Sequence, residues 1–401
     1  MGLKLPDGVS APTPEQLQSV AQAPLVVPQP EEKTAKQLAE ERSKAAELTA
    51  QAMIENKAKP PAKQLKVGTT LAQIMAATQK KKGDGVFVIA RDVPQAERIP
   101  TGCFEFDLAT GGGFPRGRYS IIFGPESSCK TTFALLAAAQ AQKLPEPCNK
   151  VVFIDAEHAF DPKWAEMLGV DVDKLIVVKP GYGEEAGDIF EAVVRASDVA
   201  LVIFDSIAMM VSTKEAEQSL ESFDVGTAAI LVKRMVNKAI LALAEEAKSN
   251  HHPAIILINQ IRMKIGVMFG NPETTPGGKA KDFASSLTVR VSAQNKIVKE
   301  VNPDVHSFKS ISMVIKKSKV PIVRANQEFD LCVLPHDGMA CGETKSWNMV
   351  SNHLKQMGAL TKANPKGWSL LGHTYPILDV IQSQYESDNE FKIKLQRMVI
   401  D

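Results

Sequence analysis

The stretch Tyr119-Ser-Ile-Ile-Phe-Gly124-Pro-Glu-Ser-Ser-Cys-Lys130-Thr-Thr132 decides the fold. Its first five residues make a largely apolar run of strand length with β-branched and aromatic side chains. Gly124-Pro125 breaks that run, and an Ala- and Leu-rich helical pattern follows to Gln142. Between strand and helix, Gly124-Pro125-Glu126-Ser127-Ser128-Cys129-Lys130-Thr131 fits the phosphate-loop pattern G-x-x-x-x-G-K-[ST] except at Cys129, where the second glycine should be. In such a loop backbone N–H groups wrap phosphate oxygens, the lysine neutralises β/γ charge and the hydroxyl meets Mg²⁺. The helix N-terminus behind it favours the same anion. Gly124 through Thr132 are therefore the candidate nucleotide contacts, with Thr131 also a metal candidate. A Cβ at Cys129 crowds the backbone where phosphates approach. The plain alternative is a strand–turn–helix that holds no nucleotide.

Working outward, further apolar runs occur at Val151–Ile154, Leu175–Val178, Leu201–Phe204 and Ile255–Ile258, with helical patterns such as Ala228–Lys248 between them. Continuous apolar runs suit strands buried on both faces of a parallel sheet, so the expected class is α/β with a mostly parallel sheet. Two more strand-like runs follow at Ser286–Val291 and Ser312–Ile315. Acids stand at the strand ends. Asp205 closes one strand where it would help hold Mg²⁺, and Asp155 closes another with Glu157 just past it. Glu157 is the candidate to orient or deprotonate an attacking water. Any one of these alone is an ordinary solvent-facing acid. Asn259-Gln260 ends a third strand, and Gln260 is placed to sense a γ-phosphate.

The chain has 401 residues with 47 basic and 46 acidic side chains, a formal charge of +1. That balance excludes a bulk polycation but not a local basic strip. No apolar run is long enough to span a membrane, no secretory leader is evident, and five scattered cysteines without a C-x-x-C pair suit a reducing compartment. The expected location is cytoplasmic. Residues 1–30 are Pro-rich, sparsely charged and without aromatics, and are expected to be a disordered arm. Residues 31–59 carry strong helix formers, read as a solvated helix or a partner-docking one, and Pro60-Pro61 ends them. A second helix is expected from Thr69 with Leu71, Ile74, Met75 and Thr78 on one face, then a strand over Val86–Ile89. From about Gly338 the periodicity around Trp347–Met357 and Ile377–Tyr385 reads as a small α+β domain. The expected division is residues 1–66 arm and helix, 67–98 docking helix and strand, 99–335 core, and 336–401 C-terminal domain.

After Gln260 the chain reads Ile261-Arg-Met-Lys-Ile-Gly-Val-Met-Phe269, then Gly270-Asn-Pro-Glu-Thr-Thr-Pro-Gly-Gly-Lys279. A loop this long is usually functional or disordered. Arg262, Lys264 and Lys279 suit phosphates of a nucleic-acid strand, Phe269 and its apolar neighbours suit bases, and the glycines let N–H groups approach phosphates. A lid over an active site that touches no nucleic acid is the competing reading.

Three segments resemble the bacterial RecA recombinases: Gly124–Ser128, Phe153–Ala159 with Asp161-Pro162, and above all Asn259–Thr275. The resemblance spans roughly residues 67–385. It implies a P-loop ATPase core of RecA type, helical self-assembly on single-stranded DNA, ATP with Mg²⁺ between subunits, and pairing with homologous duplex. It implies that Lys130 and Thr131 bind phosphate and metal, that Glu157 is the catalytic carboxylate and Asp205 the metal-holding acid, and that Gln260 couples the γ-phosphate to the DNA loop. Asp161 and Trp164 would lie near adenine, Trp164 in place of a stacking Tyr. Lys317 and Lys319 would reach the neighbouring subunit's ATP like arginine fingers. The first DNA loop would be Glu215–Gly226, with Gly226 matching and Lys233 and Arg234 close by. The second would present Arg262, Met263, Lys264, Ile265, Phe269, Thr275, Gly277, Gly278 and Lys279. Thr69–Ile89 resembles the segment that docks on the next subunit, and Phe283 matches an interface Phe.

The departures are Cys129, Pro276, Lys279, the lack of an acidic C-terminal tail, and the segment before residue 60. They are those expected of a divergent, phage-encoded member with altered turnover and less restraint in DNA loading. The rival reading is a hydrolysis-deficient filament or regulatory DNA-binding paralogue. A helicase-like motor would need further motifs, which the sequence does not offer.

Overall fold

A computed structural model describes residues 70–82, 87–93, 95–211, 213, 227–246, 252–263, 273–296, 307–336, 338–363 and 366–400. The Pro-rich arm, the helix expected over 31–59, and Gly226, Lys264, Ile265 and Phe269 lie outside these. The chain divides into two compact units, residues 1–87 and 88–401. In the first, helix α1 spans Leu71–Lys82, close to the expected bounds. Ile74, Met75 and Thr78 are half-buried on its expected face, whereas Leu71 is exposed.

The run at 86–89 corrects an expectation. Its described part, Phe87–Ile89, is not a strand: it bends at Phe87 and leads through an extended Ile89 into a 3₁₀ turn at Ala90–Asp92. Val88 is 53% and Ile89 64% exposed. A short apolar run becomes a strand only where another edge offers paired N–H and C=O groups, and no described strand of this chain does so.

The second unit is built on one sheet of eight strands. In chain order the elements are β1 (Arg98–Ile99), α2 (Phe104–Thr110), β2 (Phe114–Pro115), β3 (Tyr119–Gly124), α3 (Lys130–Ala141), β4 (Lys150–Asp155), α4 (Pro162–Met167), β5 (Leu175–Val178), α5 (Gly183–Val194), β6 (Val199–Asp205), α6 (Thr227–Glu246) and β7 (Ala254–Gln260). Then come β8 (Arg262–Met263), β9 (Glu273–Thr274), α7 (Ala280–Ala284), β10 (Leu287–Lys296), β11 (Phe308–Ser318) and β12 (Asn326–Cys332). The sheet order is β12-β11-β10-β3-β7-β6-β4-β5. From β10 to β5 all neighbours are parallel; β11 and β12 add antiparallel.

Strand alternation divides the sheet's side chains between two cores. Ile122, Phe153, Ile203, Ile256 and Val289 face one side with Phe133 of α3. Ile121, Ile154, Phe204 and Leu257 face the other with Phe190 of α5 and Met235 of α6. Helices thus cover both faces, which is why the central runs are apolar at every position rather than at every second one. The parallel α/β class and the seven expected strands from residue 119 onward are as the sequence implied. The runs expected over 286–291 and 312–315 extend to ten and eleven residues. In these the solvent-facing positions are polar, so the apolar signal covers only part of each strand.

The C-terminal part holds α8 (Trp347–Gln356), a three-stranded antiparallel sheet of β13 (Leu360–Lys362), β14 (Trp368–Leu370) and β15 (His373–Tyr375), then α9 (Leu378–Ser387) and α10 (Asn389–Ile400). Trp347, Leu354, Leu370, Ile381 and Leu395 pack against Phe104 and Leu108 of α2. Buried Asp107 on the same helix accepts from Thr101 N at 2.8 Å, Thr101 Oγ1 at 2.9 Å and Gly102 N at 2.9 Å. No helix among the described residues is long and apolar enough to cross a membrane.

Candidate nucleotide and DNA site

The C-terminal ends of β3, β4, β6 and β7 lie side by side, and the candidate residues follow from them. In an open parallel sheet this edge is where ligands bind, because loops and helix N-termini converge there. β3 runs into the phosphate loop. A Cβ on Gly124 would lie 1.9 Å from Val291 O, so only glycine fits where the strand turns. Ser127 and Cys129 have φ of 56° and 66°. Cys129 thus takes the left-handed conformation for which glycine is usual, and it does so as N-cap of α3. Burial raises the Cys129 thiol pKa, against the pull of the Lys309 charge. The Cys129 side chain is buried in the core on the α3 face of the sheet.

Lys130 Nζ donates to Pro125 O at 2.5 Å and reaches Ser128 Oγ at 3.4 Å. Burial lowers its pKa, opposed by Asp205 and Glu157. Thr131 Oγ1 donates to Asp205 Oδ2 at 2.6 Å, which brings the two metal candidates together. Burial pushes the Asp205 carboxyl up to about 6; the Thr131 hydroxyl pulls the other way, and Glu157 adds to the rise. A buried carboxylate beside a hydroxyl at a helix N-terminus suits Mg²⁺ with water and phosphate oxygens.

β4 ends at Asp155, directly opposite Asp205 of β6. The Asp155 carboxylate accepts from Ala159 N and Phe160 N, both at 3.1 Å, and so shapes the turn carrying Glu157. Glu157 Oε1 accepts from Gln260 Nε2 at 2.7 Å and from Ser206 Oγ at 2.5 Å. Ser206 was missed from sequence; a serine after a strand carries no signal of its own. Asp161 caps α4, accepting from Lys163 N at 2.9 Å and Trp164 N at 3.3 Å. Trp164, but not Asp161, lines a cavity of about 420 Å³ with the phosphate loop. Lys309 of β11 lines it too and donates to Ser127 O at 2.9 Å, a residue that sequence reasoning did not select.

Gln260 leads into the second candidate loop, whose described stem is the pair β8–β9, with Arg262 opposite Thr274. Four anchors hold the stem and its exit. Arg290 of β10 grips Glu273 with two bonds of 3.0 and 2.7 Å. Fully buried Lys281 donates to Thr275 Oγ1 at 2.8 Å, and Asn259 donates to Pro276 O at 3.1 Å. Gly277 abuts Val232 of α6, and Gly278 abuts Ala229. Lys233 and Arg234 are exposed on that same helix, as are Arg262 and Met263 on β8 and Lys279 beyond the glycines. The glycine pair thus lies against the helix that carries Lys233 and Arg234.

Lys317 Nζ donates to Asp282 O and to Phe283 O, the latter at 2.8 Å. Lys319 Nζ donates to Phe283 O at 3.0 Å. Burial, then the neighbouring Lys319, lowers the Lys317 pKa. Both ammoniums therefore lie at the end of α7 beside Phe283, which is 74% exposed. No described contact of either lysine is with the phosphate loop.

The family model for the RecA N-terminal domain matches residues 63–334. The chain belongs to the RecA family. It is 42% identical to Protein RecA of Symbiobacterium thermophilum over 275 residues, 68% of this chain and 74% of that protein. It is 41% identical to Protein RecA of Thermus aquaticus over 262 residues, 65% and 75% of the two. With Protein RecA of Aquifex pyrophilus the match is 44% over 220 residues and spans only 61% of that relative. The fold described above is thus the RecA-type α/β core, and the family is one of recombination and DNA repair.

Proposed function

We propose that this RecA-family chain is a DNA-dependent ATPase that assembles on single-stranded DNA as a helical filament and pairs that strand with homologous duplex. The observation carrying the reading is the 2.7 Å bond between Gln260 and Glu157. It joins the candidate water-activating carboxylate to the strand that runs straight into the basic second loop. Thr131 and Asp205 would hold Mg²⁺, which supplies neutralisation of phosphate charge when bound. Lys130 would exchange the Pro125 carbonyl for phosphate oxygens. Glu157, steadied by Ser206, would take a proton from water. Gln260 would turn toward the γ-phosphate, releasing Glu157 and pulling on β8. Arg262, Met263, Lys264, Ile265, Phe269, Thr275, Gly277, Gly278, Lys279, Gly226, Lys233 and Arg234 are the proposed DNA contacts. Lys317 and Lys319 are proposed to act on the next subunit's nucleotide, and exposed Phe283, Val88 and Ile89 suit a subunit boundary. The proposed division into arm, docking segment, core and C-terminal domain, and the cytoplasmic location, follow from the same reading.

The test is steady-state ATP hydrolysis with and without single-stranded DNA, beside electron microscopy with a slowly hydrolysed analogue. Wild type is expected to form helical filaments and to hydrolyse faster with DNA. Glu157→Gln should keep filaments and lose hydrolysis by 100-fold or so, the scale for a removed general base. Filaments without any wild-type hydrolysis would instead support the regulatory paralogue.

A further inference from the structure

We propose that Lys309 is a nucleotide-binding residue, a second cation in cis that contacts the diphosphate portion of the bound nucleotide. The inference rests on the proposed nucleotide site and deepens it. The cavity beside the phosphate loop is lined by Ser127–Thr132 together with Trp164, Lys309, Val333 and Leu334. Two ammonium groups line it and no carboxylate does. Four hydroxyl-bearing residues, Ser127, Ser128, Thr131 and Thr132, line it as well. That is a lining for a polyanion.

Lys309 itself has the geometry of a ligand-exchanging cation. Its Nζ donates to a loop carbonyl, Ser127 O at 2.9 Å, much as Lys130 Nζ donates to Pro125 O at 2.5 Å. No acidic residue among the described ones forms an ion pair with it. A lysine bonded only to a neutral carbonyl can exchange that oxygen for a phosphate oxygen and gain a charge-assisted bond. Lys309 reaches the site from the start of β11, which pairs with β10 beside the loop strand β3. The sheet therefore fixes where the cation emerges. Lys130 faces the β/γ end of the site beside Thr131 and Asp205. Lys309 instead meets the loop at Ser127 O, in the cavity also lined by Trp164 and Leu334, and is assigned to the part of the nucleotide that ADP and ATP share.

The experiment measures ATP and ADP dissociation constants of the full chain by fluorescence titration with an N-methylanthraniloyl nucleotide, at two salt concentrations. The variants are Lys309→Met, Lys309→Arg and, as the site control, Lys130→Ala. Lys309→Met is expected to weaken ADP and ATP alike by about tenfold, the scale of a lost charge-assisted bond, and to flatten the salt dependence. Lys309→Arg should retain most of the affinity. Lys309 is half-buried, so the fold should survive, and an unchanged melting curve verifies it. Lys309→Met binding both nucleotides within twofold of wild type overturns the proposal, as does equal weakening by Met and Arg. If wild type binds neither nucleotide, the site reading itself fails. If wild type binds, Lys130→Ala does not, and Lys309→Met does, only the Lys309 inference fails.

Discussion

At the scale of single residues, the most exacting positions are buried polar ones. Asp107 shows how a carboxyl far from the site ties stability to pH. Burial outweighs its three donors and pushes its carboxyl up to about 7 from an ordinary 3.8. Between those limits the folded chain holds a proton that the unfolded chain releases. Its contribution is therefore full below about 4 and lost as pH rises through about 7. In Asp107→Asn nothing titrates there. The gap in thermal midpoint between wild type and variant is expected to widen in favour of wild type from pH 8 to pH 5. A gap that stays constant would mean that Asp107 does not bind the proton. The same scale shows why parts of the site were hidden from sequence reasoning. Lys130 and Asp205 were legible because strand, turn and helix flank them in a fixed pattern. Ser206, Arg290 and Lys309 have no such flanks; their partners lie 17 or more residues away, and folding alone reveals them. Lys281 reaches Thr275, six residues away, and its neighbour Asp282, but needs full burial to have meaning.

At the scale of elements, fully buried strands announced themselves, because burial on both faces requires apolar residues throughout. β12, with an alternating pattern in Asn326–Cys332, did not, and neither did the short helix α4. The run at 86–89 is the converse case, an apolar run without a described pairing edge. The stem of the second loop is held by an ion pair whose loss can be tested. Arg290 and Glu273 are each about a fifth to a quarter exposed, so their two-bond grip is partly shielded from water. Arg290→Met should cost about 1 kcal/mol of stability, in the range for a single net interaction. It should lower the DNA-stimulated ATPase several-fold while leaving the DNA-free rate near wild type. Equal losses in both rates would point to general loosening instead.

At the scale of the whole molecule, two lysines and an exposed phenylalanine cluster at the end of α7. If Lys317 completes the neighbour's site, each catalytic unit is assembled head-to-tail from two chains. Glu157→Gln and Lys317→Ala should then each be inactive alone. Mixed one to one before DNA is added, they should recover about a quarter of wild-type hydrolysis, since one ordered junction in four joins an intact Glu157 to an intact Lys317 in a heterologous array. No recovery, with both variants present in the same filaments, would place the lysine's action within its own chain. The near-zero formal charge is compatible with such an array, because a few exposed cations per subunit add up along a strand.

The bond between Gln260 and Glu157 finally bears on thrift. On the proposed reading, a filament is many engines in a row, each able to burn fuel whenever its own nucleotide is loaded. Here one amide touches both the part that ignites and the strand that leads to the cargo. An engine whose starter is wired through the freight it carries idles when empty. The cost of standing ready is then set by a single glutamine side chain rather than by the length of the train.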